Sequence, residues 1–350
     1  MKTDTLIIGA GLAGLHLAHT LEQRGRDVLL CEAADRVGGR VKTQQIGGIP
    51  VDLGPAWIWP DQPRIAALAD ALGLTVFDQF STGAGLWQTG DGDVHRSPGA
   101  GSMRGSWRIA GGLGGITGRL ADRLSSARLL LNTPVQRLIQ TGDGITATTP
   151  DGTIEAQHVV LALPPRIAHG AISFAPELPQ AVAAEMQNVP TWMAGHAKFV
   201  AVYDRPWWRE AGLSGDAISQ RGPLAEIHDA SPHDESGFAL FGFVGTPPAP
   251  RAMHRDAVIR EAVNQLVSLF GPELAQPRAV HMEDWATDPL IATMADQDGP
   301  TQHPAYGTPD ALRDLWGGRL IFASSEMGDE YGGFLEGALV AAEQAAARLG

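Results

Sequence analysis

The chain opens on a short apolar run, "TLII" at residues 5–8, followed at once by Gly9, Gly11 and Gly14 in the spacing G-x-G-x-x-G. Ala13, Leu17 and Leu21 then recur at helical spacing, and the pattern stops at Gly25, a residue suited to the end of a helix. "DVLLCE" at residues 27–32 is the next apolar run. Strand, glycine turn, helix and strand in that order predict a right-handed βαβ unit.

Further along, "QPRIAALADALG" at residues 62–73 has the spacing of an amphipathic helix. Residues 81–115 are rich in Gly and Ser with little periodicity, which predicts mostly loop, with a helix over about residues 116–124. From residue 135 the pattern becomes a meander of strands turned at Gly-Asp-Gly and Pro-Asp-Gly. It ends in a buried strand at 159–163 that Pro164 and Pro165 stop. The texture then changes: "GHAKFVAVYD" and "GFALFGFVG" predict strands, and "RDAVIREAVNQLVSLFG" predicts an amphipathic helix. "RLIFAS" and "GGFLEGALVAAEQAAARL" return to the first style, a strand and then a helix opening near Gly332. The expected architecture is α/β: a Rossmann-like nucleotide domain (1–77, 109–168 and 287–350) interrupted by a substrate domain of mixed β-sheet plus helices (78–108 and 169–286).

Charge narrows the partners. A net charge of −13 over 350 residues argues against nucleic acid and against an anionic membrane surface, while a small cationic substrate would be drawn to such a field. The single cysteine, Cys31, excludes an internal disulfide and a cysteine-rich metal site. No metal-ligand spacing is present, and His228 and His233 have the setting of core or surface residues. No apolar run reaches the roughly 18 residues needed to span a bilayer, so a cytoplasmic protein is expected.

In a glycine turn of this kind Gly9 permits the tight turn, Gly11 lets the backbone approach a diphosphate, and Gly14 lets helix pack on strand. The diphosphate meets the free N–H groups at the helix N-terminus, and Glu32 can accept the adenosine ribose hydroxyls. These features predict a dinucleotide without separating NAD from FAD. Three others separate them. Arg40, after Gly38 and Gly39, can fold back on the diphosphate as a bidentate partner. A second glycine-opened helix at the C-terminus could turn its positive end to a flavin ring, with Glu326 on the preceding loop aimed at ribityl hydroxyls. Gly54 can lie against a flat ring, with Trp57 and Trp59 flanking it. A cofactor that needs both ends of the chain is FAD.

With "IIGAGLAGL…CEAADRVGGRV", "VDLGPAWI", "RIAGGLGGIT", "NTPVQRL", "HVVLALPP", "PWWRE", "WATDP" and "FLEGALVAAEQAA" in order, the chain resembles the flavin-containing amine oxidases, the group of monoamine and polyamine oxidases. The resemblance implies FAD contacts at Gly9, Gly11, Leu12, Ala13, Glu32, Ala33, Gly39, Arg40, Gly54, Pro55, Ala56, Val135, Glu326, Gly333, Phe334 and Leu335. It implies removal of hydride from the carbon beside an amine nitrogen, hydrolysis of the imine, and oxygen or another electron acceptor to reoxidise the flavin. Two alternatives remain: a flavin-dependent dehydrogenase or desaturase of an apolar non-amine substrate, and a non-catalytic flavin-binding subunit.

The chain departs from the family pattern at four places. No cysteine stands in "LIATMAD", where monoamine oxidases attach their flavin, so non-covalent FAD is expected. Many members carry a lysine two residues before the tryptophan that corresponds to Trp285; here Glu283 stands there and becomes the candidate for proton movement or amine binding. Lys198 matches another family lysine and is assigned to a structural strand. Of the paired cage tyrosines, one position matches Phe334 and the other Ala295, with Tyr331 and Phe334 as expected walls of the site. Finally, the helical region before "RIAGGLGGIT" is cut to about 30 residues, which implies a more open site or one completed by a partner chain, as in a homodimer. No arginine near Trp57 is placed to hold a carboxylate, which favours an amine over an amino acid.

Overall fold

Strand Lys2–Ile8 lies parallel to Val28–Cys31 on one side and to Gly152–Leu161 on the other. Val28–Cys31 and the C-terminal ends of the other two strands are apolar and buried on both faces, as a parallel sheet demands, whereas the first half of Gly152–Leu161 alternates and leaves Glu155 and Gln157 exposed. The structure is a computed structural model that describes residues 1–98, 103–124, 128–297 and 303–350. Arg128–Leu130 extends the sheet beyond Val28–Cys31, and Leu320–Phe322 joins the C-terminal half of Gly152–Leu161. Ile145–Thr149 and Arg137–Gln140 add an antiparallel edge. Helix Leu12–Gln23 packs on this sheet and on the C-terminal helix Leu335–Leu349, burying Leu15, Leu17, Ala18 and Leu21 with Leu339, Ala342 and Ala346. The two ends of the chain are thereby joined in one core.

A second, seven-stranded sheet runs in the order Ala279–Asp284, Ala197–Tyr203, Phe238–Val244, Leu224–Asp229, Leu213–Ser219, Ala84–Gln88 and Val94–Pro98. One face packs on helix Arg255–Phe270, with Phe199, Ala217, Ile227 and Leu240 meeting Val258, Ala262 and Leu266. On the other face, Ile46, Ile49 and Val51 of the hairpin Thr43–Ile46 and Ile49–Asp52 cover Val200, Val202 and Phe241. The expected α/β class, a Rossmann-like domain with a mixed-sheet second unit, is the fold observed.

Three expectations need correction. Residues 81–115 carry three strands, Ala84–Gln88, Val94–Pro98 and Trp107–Ile109, and the next helix starts at Gly114. Partners far along the chain supply the pairing: Ala84–Gln88 lies on Leu213–Ser219, and Trp107–Ile109 on Val76–Asp78. Residues 99–102, within the same expected loop, lie outside the described residues. The boundary at 169 also falls too early, because Ser173–Ala175 pairs with Arg137–Gln140 and Val182, Met186 and Val189 join the first core. The last helix begins at Leu335 rather than near Gly332, since Tyr331 and Gly333 both have positive φ (51° and 86°) and cannot belong to a helix. No helix among the described residues is long and apolar enough to cross a membrane.

Candidate active site

At the C-terminal end of strand Lys2–Ile8 the chain turns through Gly9 (φ +106°), where a Cβ would sit 2.8 Å from the carbonyl oxygen of Ala162. Gly14 is under a stricter constraint: a Cβ there would lie 1.9 Å from the Gly9 carbonyl oxygen. Gly11 differs from both. Its φ of −71° suits any residue, and a Cβ would meet nothing closer than the Gly38 carbonyl oxygen at 3.9 Å. Its bareness serves the space in front of it. The first intrahelical bond runs from Leu15 N–H to the Gly11 carbonyl (3.0 Å), so the preceding N–H groups are left at the helix N-terminus for a ligand. Glu32 is oriented in advance, accepting from Ala10 N–H (2.7 Å) and Ala34 N–H (2.9 Å).

These groups line one end of a cavity of about 720 Å³. It starts at Glu32, Ala33 and Val135 and crosses the turn at Gly9, Gly11, Leu12 and Ala13. From there it passes Gly39, Arg40, Gly54, Pro55 and Ala56 and ends among Trp57, Lys198, Phe243, Trp285 and Phe334. Gly333 and Leu335, at the N-terminus of the last helix, face the same space. Its volume lies within the range of cofactor sites, and it opens at the strand ends, where α/β sheets bind nucleotides.

Several candidates lie elsewhere. Gly14 does not line the cavity; it is the contact that lets the first helix sit on its strand. Glu326 is fully buried and held by Arg40, whose two terminal nitrogens donate at 2.6 and 3.1 Å. Burial raises the Glu326 pKa, but the charge and hydrogen bonds of Arg40 outweigh this and hold it below the usual carboxylate range. Glu326 therefore fixes Arg40, which itself faces the cavity, and does not reach the space directly. Tyr331 is no wall of the site: its hydroxyl is bound to Asp61, at 2.8 Å from the carbonyl and 2.9 Å from the carboxylate. Ala295 is exposed, and the ring nearest Phe334 on the cavity is Trp192, 6.0 Å away between centroids.

Glu283 requires the largest correction. It lies outside the cavity lining, accepts from Lys42 Nζ at 2.7 Å and contacts His281 at 3.2 Å. The bond to His281, with the charge and bond of Lys42, overcomes the effect of burial and keeps the carboxyl ionised. Glu283→Gln is expected to leave kcat/KM within about threefold of wild type, since its carboxylate is turned to Lys42 and His281 and does not line the cavity; steady-state assay of the variant checks this.

Directly across the strand pair from Glu283 stands Lys198. The register that puts the two side by side does not put them in the same environment. Lys198 is buried and faces the cavity, donating to the carbonyls of Gly54 (2.6 Å) and Asp52 (3.2 Å), with its Nζ 4.2 Å from the Phe241 ring centre. Burial lowers its pKa to about 7, with Arg108 adding to the effect and Asp52 opposing it. The signal was available in the sequence: a lone lysine in "HAKFVAVYD", a strand otherwise without polar residues at its centre.

A second charged group missed from the sequence is Glu226. It lines the cavity beside Phe243 and accepts from His228 at 2.8 Å. His228 is completely buried and joined on its other nitrogen to Asp216 at 2.7 Å, with the Trp57 ring 5.0 Å away, edge to face. Burial disfavours the imidazolium, but the bonds to Asp216 and Glu226 prevail and raise its pKa; His228 in turn lowers that of Glu226. Cys31 lines the cavity beside Glu32, its thiol pushed up to about 12 by burial.

Comparison with known proteins decides the family. The sequence profile of flavin-containing amine oxidoreductases matches residues 94–350, and that of an NAD(P)-binding Rossmann-like domain matches residues 7–72. The chain belongs to the flavin-containing amine oxidoreductase family. It is thus an oxidoreductase enzyme of a family that works with flavin. A Mycobacterium tuberculosis protein named as a flavin-containing monoamine oxidase is 29% identical over 451 positions, spanning 99% of this chain and 96% of its own length. With 350 residues here, roughly a hundred of those positions have no counterpart in this family member. Putrescine oxidase of Kocuria rosea is 24% identical over 82% of this chain and 83% of its own. The solved structure of a putrescine oxidase bound to putrescine superposes with a TM-score of 0.85 at 21% identity, covering 99% of this chain and 98% of that one, a likeness of fold.

Proposed function

We propose that this protein binds FAD without a covalent link and oxidises an amine to an imine, which water then hydrolyses, with oxygen as the electron acceptor. The observation that carries the reading is one cavity that joins a diphosphate turn at Gly9–Leu12 to an apolar end containing a buried, half-neutral lysine. The residues suit FAD: Gly11 leaves room for the diphosphate, Glu32 is set for ribose hydroxyls, Arg40 offers a guanidinium, and the N-terminus of the last helix faces the far end. When bound, the flavin supplies a two-electron acceptor for the hydride.

The chain's own residues supply the rest. Trp57, Phe243, Trp285 and Phe334 give apolar walls that exclude water and position the carbon to be oxidised. Glu226, ionised, draws the cationic amine into the cavity. An amine must shed its proton before its carbon can lose hydride, and Lys198, with a pKa of about 7, is matched to accept that proton near neutral pH.

Cys31 is distant along the cavity from the apolar end and its thiol is unreactive at neutral pH, which supports dissociable FAD. Acid precipitation of the purified yellow protein is expected to release all of its flavin to the supernatant; flavin retained in the pellet contradicts this. Anaerobic addition of candidate amines tests the reaction, with bleaching of the flavin expected and its return on admitting oxygen. Bleaching by apolar non-amines alone would favour the dehydrogenase alternative.

A further inference from the structure

One row of side chains carries the floor of the cavity out to the surface. Lys198 stands opposite Phe243, Phe243 opposite Glu226, Glu226 opposite Ile218, and Ile218 opposite Trp87. Residues directly opposed on neighbouring strands point to the same face of a sheet. Lys198, Phe243 and Glu226 line the cavity, but the next two of the row lie beyond it, with Ile218 39% and Trp87 43% exposed. Their strand neighbours on the other face, Ala217 and Leu86, are buried against the helix side, so the exposure belongs to this face alone. With strands about 4.8 Å apart, Glu226 stands roughly 10 Å and Trp87 roughly 19 Å along the row from Lys198.

An apolar pair continuous with a substrate cavity, and separated from its centre by one carboxylate, sets the chemistry of what lies on it. A plain hydrocarbon chain would have to cross Glu226 without satisfying it. A chain with a cationic nitrogen at that point pairs with the carboxylate and leaves further methylenes for Ile218 and the indole face of Trp87. Glu226 is fixed for this by His228, which is itself held by Asp216.

We propose that Ile218 and Trp87 form an outer subsite for the distal hydrocarbon of an elongated, N-alkylated diamine whose second nitrogen rests at Glu226. The inference depends on the site being an amine oxidase, and the test separates the two. kcat/KM is measured on the holoenzyme for butanediamine and its N-alkyl derivatives from methyl to hexyl. Expected is a rise of about twofold per methylene, about half of full burial on a logarithmic scale because the shelf covers one side of the chain. Trp87→Ala and Ile218→Asn are expected to flatten that rise, with flavin content and melting temperature recorded to show that each variant is folded; Trp87→Leu is expected to keep part of it. Turnover of the parent diamine with no dependence on chain length overturns the subsite and leaves the amine oxidase intact. A rise that survives both substitutions, or a change of oligomeric state on Trp87→Ala in its place, overturns it equally. If no amine bleaches the flavin, the amine oxidase reading falls first.

Discussion

Replacing Lys198 by methionine is expected to lower kcat/KM by about two to three orders of magnitude and to shift the melting temperature, relative to wild type, most favourably in acid. The first effect is of the size expected when a positioned proton acceptor is removed. The wild-type kcat/KM should also rise with pH through about 7, as Lys198 loses its proton, and the variant should lack that limb. The second effect follows from linkage. The lysine pKa falls from 10.5 to about 7 on folding, so between those values the unfolded chain binds the proton more tightly and stability rises with pH. The cost of burying the charged lysine is therefore fully present below pH 7 and recedes towards pH 10.5. Methionine carries no such cost and fills the same buried length, but it leaves the carbonyls of Gly54 and Asp52 without their donor, a penalty that does not vary with pH. The melting temperature of the variant relative to wild type should therefore be highest in acid and fall towards pH 10.5, read by thermal melts across that range. The buried Asp52 carboxyl keeps the Thr43 hydroxyl and Leu113 N–H as hydrogen-bond donors in the variant. Activity within threefold of wild type would remove Lys198 from the site's chemistry, and a difference in melting temperature that does not vary with pH would contradict its lowered pKa.

Gly11→Val is expected to yield a folded but colourless protein, with affinity for FAD weakened at least about a hundredfold. A Cβ at this position meets only the Gly38 carbonyl oxygen, at an ordinary contact distance of 3.9 Å, and the φ suits any residue, so the fold bears little cost; the isopropyl group stands beside the helix N-terminus, in the space where a diphosphate would approach. Gly14→Ala is the contrasting control. Its methyl group would stand 1.9 Å from the Gly9 carbonyl oxygen, so helix and strand must part and the protein should fail to fold. Absorbance at the flavin band, titration with FAD and a melting curve distinguish the two. A yellow Gly11→Val protein with unchanged affinity would mean that the turn does not hold the diphosphate.

Much of this molecule was legible from local pattern. The glycine spacing, the helix that follows it and Glu32 at the end of the second strand all act within about 30 residues, and there spacing along the chain is spacing in space. The resemblance to the amine oxidases rested on the same kind of short motif. Errors arose where a residue's role depends on what lies opposite. Residues 84–88 and 94–98 show little periodicity, yet they become strands because Leu213–Ser219 offers them an edge. Glu283 and Lys198 are direct neighbours across two strands, and only the packing around each tells them apart. Lys42, just before the hairpin strand Thr43–Ile46, reaches Glu283, whereas Gly54, Phe241 and Phe243 close over Lys198.

The sequence by itself determined a dinucleotide turn, an α/β fold in which both ends of the chain share one core, and membership of a flavin amine oxidase group. Each of these is encoded in contiguous residues whose backbone needs, free φ at Gly9 and no side chain at Gly11 and Gly14, are local. The tertiary structure alone decided which charges face the cavity. Burial and cross-strand register are properties of surfaces brought together from distant segments, and they made Lys198 and Glu226 residues of the cavity and left Glu283, Glu326 and Tyr331 to hold the frame around it.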